Sequence, residues 1–270
     1  MIDTHCHLTF PDFAGRVDEV LTDARAAGVT GAITISTTSA DVSDVVAIAE
    51  ARDHVWASSG VHPLYVDRDP RDWNALRAAA RSPKCVAWGE LGLDKHYDKP
   101  PLDLQREMLA EQLALIESMD AEFPGRGVII HCRKAVDELL PILADSSIEP
   151  ARFVFHCFTE PPEQARKVLD FGAMISFTGV LTYPSAPEVR ESAALVPLER
   201  VMVETDAPFL SPQPVRGRRP CTPAYSMHTA RTLADVKHMP LSELLRIVDD
   251  NTERFFGVRA PEPSPEAIAS

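Results

Sequence analysis

Short β-branched, apolar runs recur along the chain, separated by stretches with apolar residues at helical spacing. The runs that read as strands are residues 2–5, 32–35, 57–61, 85–88, 128–130, 153–155, 173–177 and 201–204. Helical patterns lie between them, among them residues 16–27, 42–51, 72–80, 104–119, 135–144 and 162–170. In the first of these, Val17, Val20, Leu21 and Ala24 share one face, and Gly28 stands where a left-handed residue ends a helix. Eight strand–helix repeats in 270 residues predict one (β/α)8 TIM barrel over residues 1–258. A doubly wound open sheet is the alternative. Neither a GxGxxG nor a Walker sequence follows the first strand, which counts against it. Prolines cluster in the connections and read as rigid loops over a scaffold. Residues 259–270 are polar, Pro-punctuated and expected to form a flexible tail.

Composition narrows the setting. Apolar residues make up 45% and charged residues 25%, so the chain can build a core. The net charge is −13, so a polyanion is not drawn in by bulk attraction and any phosphate must be met by local cations. The N-terminal MIDTHCHLTF lacks a basic segment followed by an apolar one, and no apolar run approaches the ~20 residues of a membrane span. Five cysteines, an odd number, are expected to be free thiols. Together these features predict a cytoplasmic protein.

The polar residues that interrupt the pattern fall at the carboxyl ends of strands, where barrels carry their chemistry. The first strand leads into His5–Cys6–His7, the third into His62 and the fourth into Glu90. The fifth ends at His131–Cys132–Arg133, the sixth at His156–Cys157 and the eighth at Glu204–Thr205–Asp206. Each residue alone has an ordinary structural explanation, such as a bonded histidine, a buried ion-pair partner or a helix cap. Jointly they form a metal-binding constellation. Strand alternation points His5 and His7 the same way and Cys6 to the opposite face. The same logic assigns Cys132 and Cys157 to the helix layer. His54, His228 and His238 read as surface or hydrogen-bonded residues. His96, beside Lys95 and Lys99, either reaches substrate or is an exposed loop side chain.

The series Asp3–Thr4–His5–Cys6–His7–Leu8, Gly60–Val61–His62–Pro63, Gly89–Glu90–Leu91–Gly92–Leu93–Asp94, Ile130–His131–Cys132–Arg133, Phe155–His156–Cys157–Phe158 and Glu204–Thr205–Asp206–Ala207–Pro208 resembles the TatD family, in order from residue 1 to about 258. The resemblance implies a metal-dependent hydrolase on a TIM barrel, related to the amidohydrolase-like barrels, with deoxyribonuclease activity attributed to several members. It implies that His5, His7, Glu90 and Asp206 hold one divalent ion. Glu90, His131 and His156 would hold a second, with Glu90 bridging. A carboxylate can span ions about 3.5–4 Å apart. Imidazoles favour zinc, iron, nickel or manganese, and an all-oxygen set would favour magnesium, so the identity of the ions stays open.

The expected reaction is phosphodiester hydrolysis. Two divalent ions lower the pKa of bound water toward about 7, Asp206 orients that water and takes its proton, and the metal-bound hydroxide attacks phosphorus. His62 would contact the phosphate, with general acid catalysis as a further role. Arg133 is either a phosphate clamp or an ion-pair partner on the next helix. Glu204 would stand behind the ligands and orient one of them. From Ala207 to Ala234 there is no Asp or Glu, while Arg216, Arg218 and Arg219 follow the last strand. That loop reads as a positive mouth or as a solvated loop, and so small a patch suits single-stranded DNA, ends or short oligonucleotides as substrate. Two departures from the family bear on substrate. Arg219–Pro220–Cys221–Thr222–Pro223 stands where members often carry Arg-Asn-Glu-Pro, and Thr159–Glu160 replaces Ser-Gly, which would bring a negative charge toward the phosphate. The rival functions are an amidohydrolase-type enzyme cleaving a C–N or C–O bond of a small substrate, and a binding role with little catalysis. The arginines argue against the first and the complete ligand set against the second.

Overall fold

Residues 1–259 are described by a computed structural model. One parallel sheet holds eight strands in chain order: β1 (Ile2–Cys6), β2 (Gly31–Thr34), β3 (Val55–Ser59), β4 (Cys85–Asp94), β5 (Gly127–Arg133), β6 (Phe153–Phe155), β7 (Met174–Phe177) and β8 (Val201–Val203). The last strand returns to the first. Cys6 bridges Ala207, His7 N–H donates to the Ala207 carbonyl at 2.7 Å, and Asp206 N–H donates to the His5 carbonyl at 2.9 Å. These bonds close the sheet, so the fold is the (β/α)8 barrel that the repeat pattern predicts. An open sheet would leave both edges unpaired.

The helices are α1 (Val17–Ala26), α2 (Val42–Glu50), α3 (Trp73–Ala80), α4 (Leu102–Met119), α5 (Val136–Ala144), α6 (Pro162–Phe171), α7 (Pro187–Leu195), α8 (Ser226–Val236) and α9 (Leu241–Phe256). The last three lie beyond the six segments singled out from sequence. Each turns an apolar stripe inward, as Leu244, Val248 and Phe256 do on α9. Beyond Arg259, the tail expected over residues 259–270 lies outside the described residues.

Two apolar layers hold the barrel. Ile2, Ile33, Ala87, Ile129, Val154, Met174 and Met202, from seven different strands, pack into one cluster. Side chains from strands all round the sheet can meet only inside it. Phe256 and Val258 at the end of α9 join this cluster. The second cluster lies between sheet and helices and includes Cys6, Trp88, Val128, Phe153 and Phe155.

Strict alternation from the inner cluster leads to His131, His156 and Glu204, two residues beyond Ile129, Val154 and Met202. It does not lead to His5 and Glu90, which lie three residues beyond Ile2 and Ala87. Register slips between Asp3 and Cys6 in the β1–β2 pairing, and between Trp88 and Leu91 in the β4–β5 pairing, restore the phase. The slip in β4 needs a glycine. Gly89 has φ +118°, and a Cβ there would stand 2.6 Å from the Ile129 carbonyl oxygen. Past the slip, β4 runs to Asp94 rather than ending near Trp88.

Candidate metal centre and its cavity

The barrel's carboxyl end opens into a cavity of about 600 Å³, whose lining includes His7, His62, Glu90, Asp94, His131, His156 and Asp206. Glu90 lies at its centre, 1% exposed. Its two oxygens face different partners. Oε1 is 2.7 Å from His131 Nδ1, 2.6 Å from His156 Nε2 and 3.3 Å from His62 Nε2. Oε2 is 3.2 Å from His5 Nε2 and 4.0 Å from His7 Nε2. Asp206 Oδ1 completes the second group, 3.7 Å from His5 Nε2 and 3.3 Å from His7 Nε2. The His5 and His156 rings stack face to face with centroids 3.8 Å apart. Asp206 has φ +62°, and its carboxylate is more open to solvent than those of Glu90, Asp94 and Glu204.

This packing perturbs the titrations. Burial alone would raise the Glu90 carboxyl, but the charges of His156, His62 and His5 and the His131 hydrogen bond hold it well below its usual range. Asp206 is likewise lowered: burial opposes ionisation, and the His7 hydrogen bond and His5 charge outweigh it. Burial works against protonation of His156, yet Glu90 and Glu204 raise it well above the ordinary imidazole value. His62 goes the other way, down to about 4, because burial and His131 oppose its charge more than Glu90 favours it. Burial and His156 also lower His5.

A cation fits this donor set. His5 Nε2, His5 Nδ1, His7 Nδ1 and Glu90 Oε2 are buried without a hydrogen-bond partner, a costly state for polar atoms. His5, His7 and Asp206 offer ligand atoms within 4.8 Å of one another, as do His62, Glu90 and His131, and His5, His156 and Glu204. Mixed imidazole and carboxylate donors are those that bind divalent transition metals.

The groups behind these residues fix their aim. Glu204 accepts from the Cys157 N–H at 2.6 Å and the Ser176 hydroxyl at 2.7 Å, with its Oε1 3.3 Å from His156 Nδ1. Asp94 Oδ2 stands 3.0 Å from His131 Nε2. Burial would raise Asp94, but His131 brings its carboxyl below the usual value. Sequence reading left Asp94 without a role. Its even spacing from Glu90 on one strand is a signal that could have found it, hidden because β4 was expected to end near residue 88. Asp3 is a second omission. It accepts from the Thr205 hydroxyl at 2.6 Å and the Thr205 N–H at 2.9 Å, pinning the segment that carries Asp206.

The remaining predicted residues divide. Arg133 and Arg219 line the cavity. The Arg133 guanidinium lies 5.4 Å from the centre of the Tyr97 ring, and that of Arg216 lies 4.0 Å from the Tyr183 ring. Arg216 and Arg218 are exposed in the loop that Arg219 shares and are not among the cavity-lining residues. His96 is exposed and packs edge-on against Tyr97. Glu160 accepts from the Lys134 N–H at 2.5 Å, which ties two rim loops together rather than lining the cavity. All five cysteines are free thiols. Cys6 packs between sheet and helices as alternation predicts. Cys157 does not: it lies beyond β6 with φ +46°, lines the cavity and contacts Thr178 Oγ1 at 3.4 Å. Alternation holds for one residue past β6, at His156, and ends there.

Comparison with known proteins gives the family. A family model described as TatD related DNase matches residues 2–257. The chain is 36% identical over 263 residues to YcfH of Escherichia coli K12, named an uncharacterized metal-dependent hydrolase, covering 96% of this chain and 97% of that protein. It is 32% identical over 264 residues to a Pantoea ananatis protein named 3′-5′ ssDNA/RNA exonuclease TatD, covering 96% of this chain and all of that one. The solved structure of YjjV, a TatD homologue from E. coli K12, superposes with a TM-score of 0.88 at 32% identity, covering 96% of this chain and 98% of that one. No helix among the described residues is long and apolar enough to cross a membrane. With its family model spanning nearly the whole barrel and histidines and acids gathered at the barrel's mouth, the chain belongs to the TatD family of metal-dependent hydrolases.

Proposed function

We propose that this hydrolase cleaves phosphodiester bonds in single-stranded DNA, DNA ends or short oligonucleotides, using two divalent ions. The observation that carries the two-ion reading is the division at Glu90, whose Oε1 faces His131 and His156 while Oε2 faces His5 and His7. His5, His7, Glu90 and Asp206 would hold one ion, and Glu90, His131 and His156 the other. Zinc, manganese, nickel and magnesium all suit such a set. When bound, the ions supply Lewis acidity and a water whose pKa falls toward about 7.

The chain's own groups do the rest. Asp206 is held ionised at neutral pH and is partly open to the cavity, so it orients the attacking water and accepts its proton. Arg133 and Arg219 on the cavity wall neutralise non-bridging phosphate oxygens. His62, kept neutral by burial, donates a hydrogen bond to phosphate instead of serving as a protonated acid. The name of the P. ananatis relative, a single-strand exonuclease, supports this substrate class.

The test is metal-loaded protein incubated with labelled single-stranded DNA, duplex DNA and a panel of amides and lactones. Chelator-sensitive cleavage of the single strand, lost in Glu90→Gln, is expected. Turnover confined to the amide and lactone panel refutes the proposal and favours the amidohydrolase reading.

A further inference from the structure

Among the described residues three large apolar side chains are exposed: Tyr97 at 51%, Phe209 at 41% and Leu195 at 38%. Two of the three, Tyr97 and Phe209, line the same cavity. Exposed aromatic rings forgo the free energy of burial, so two at one mouth need a reason. Each stands three residues past a site carboxylate. Phe209 follows Asp206, and its N–H donates to the Asp206 carbonyl at 2.9 Å. Tyr97 follows Asp94, whose Oδ1 accepts the His96 N–H at 2.8 Å. Both rings have close neighbours. Phe209 meets Phe10 edge-to-face at 5.8 Å and His7 at 6.5 Å. Tyr97 meets His96 at 4.7 Å and carries the Arg133 guanidinium at 5.4 Å. Phe158 and Phe177 are buried core residues and take no part.

Building on the phosphodiesterase reading above, we infer that Phe209 and Tyr97 are specificity-determining stacking faces for unpaired nucleobases next to the scissile phosphate. The floor of the cavity would suit phosphate through the cations its histidines and acids would hold; the two rings are flat and apolar and suit the π-face of a base of any sequence. Inside a duplex the faces of each base are covered by its stacked neighbours, so the rings favour single strands and frayed ends. Arg133 serves both chemistries, because a guanidinium can stack over a ring while its N–H groups reach an anion.

The experiment compares, within each variant, an oligodeoxynucleotide with an intact terminal nucleotide and the same strand ending in an abasic one. The ratio of kcat/KM on the two substrates cancels any difference in folded fraction. Phe209→Ala and Tyr97→Ala are each expected to lower that ratio about 5- to 150-fold, mainly through KM, the range set by removal of a base-stacking ring. Phe209→Tyr and Tyr97→Phe keep the ring and should keep the ratio. Binding of a phosphorothioate strand by the metal-loaded protein gives a second readout, expected to weaken in parallel. Equal losses on intact and abasic strands, or no change on either, overturn the inference and leave the phosphodiesterase proposal standing. Wild-type protein that cleaves no nucleic acid, yet binds the phosphorothioate strand in a Phe209-dependent way, upholds the stacking faces and refutes the hydrolytic reading. Wild-type protein that neither binds nor cleaves refutes both.

Discussion

Glu204→Gln isolates what one buried negative charge contributes to the metal centre. Glu204 is 1% exposed. Its Oε1 serves the Cys157 N–H and His156 Nδ1, and its Oε2 serves the Ser176 and Thr4 hydroxyls. The amide keeps one oxygen for Cys157 and His156, and its NH2 faces two hydroxyls that can rotate to accept. Shape and most hydrogen bonds survive while the charge behind His156 is lost. An imidazole that donates to a carboxylate is a better ligand, and losing such a partner costs about 10–100-fold in metal affinity. At tenfold per 1.4 kcal/mol that is roughly 1.4–2.8 kcal/mol. Glu204→Ala is harsher, since the Cys157 N–H, the Ser176 hydroxyl and His156 lose their acceptor. At roughly 1–3 kcal/mol for each buried donor, the total approaches the whole stability of a typical domain, about 5–15 kcal/mol. The assay is a chelator competition with zinc or manganese, with elemental counting of ions per chain. A Gln variant that binds its ions as tightly as wild type refutes the positioning role. A variant that loses one ion outright would instead make Glu204 a ligand, which its place beside His5 and His156 allows.

Two further outcomes are expected. Gly89→Ala puts a Cβ 2.6 Å from the Ile129 carbonyl and strains a φ of +118°. It should cost roughly 2–6 kcal/mol in urea unfolding and reduce hydrolysis by moving Glu90, and a loss below about 1 kcal/mol would contradict the close-contact argument. Metal loading should release protons at pH 7: His156, His7 and His131 are raised above the ordinary imidazole value in the metal-free protein, so each ion displaces protons there and affinity falls as pH falls. Titration calorimetry in buffers of different ionisation enthalpy measures this, and heats that do not depend on the buffer would show the reasoning to be wrong.

The chain by itself determined the barrel and the types of residue at its mouth. Local periodicity carries that information: each strand is a short apolar run, and polar residues placed just after six of these runs stand out against the pattern. Even the direction of Cys6 followed from alternation. Only the tertiary structure decided the phase of the two residues at the centre, His5 and Glu90, because a register slip depends on how neighbouring strands pair and leaves no periodic trace. The same extension of β4 brought Asp94 to His131, an ion pair between residues far apart in sequence. Past the first residue beyond a strand, alternation no longer gave the direction of a side chain. Cys157 turned toward the cavity, Glu160 tied down a loop, and Phe209 and Tyr97 were left exposed beside the metal centre. Side-chain direction beyond a strand end is set by packing between distant segments, which periodicity along one segment cannot encode.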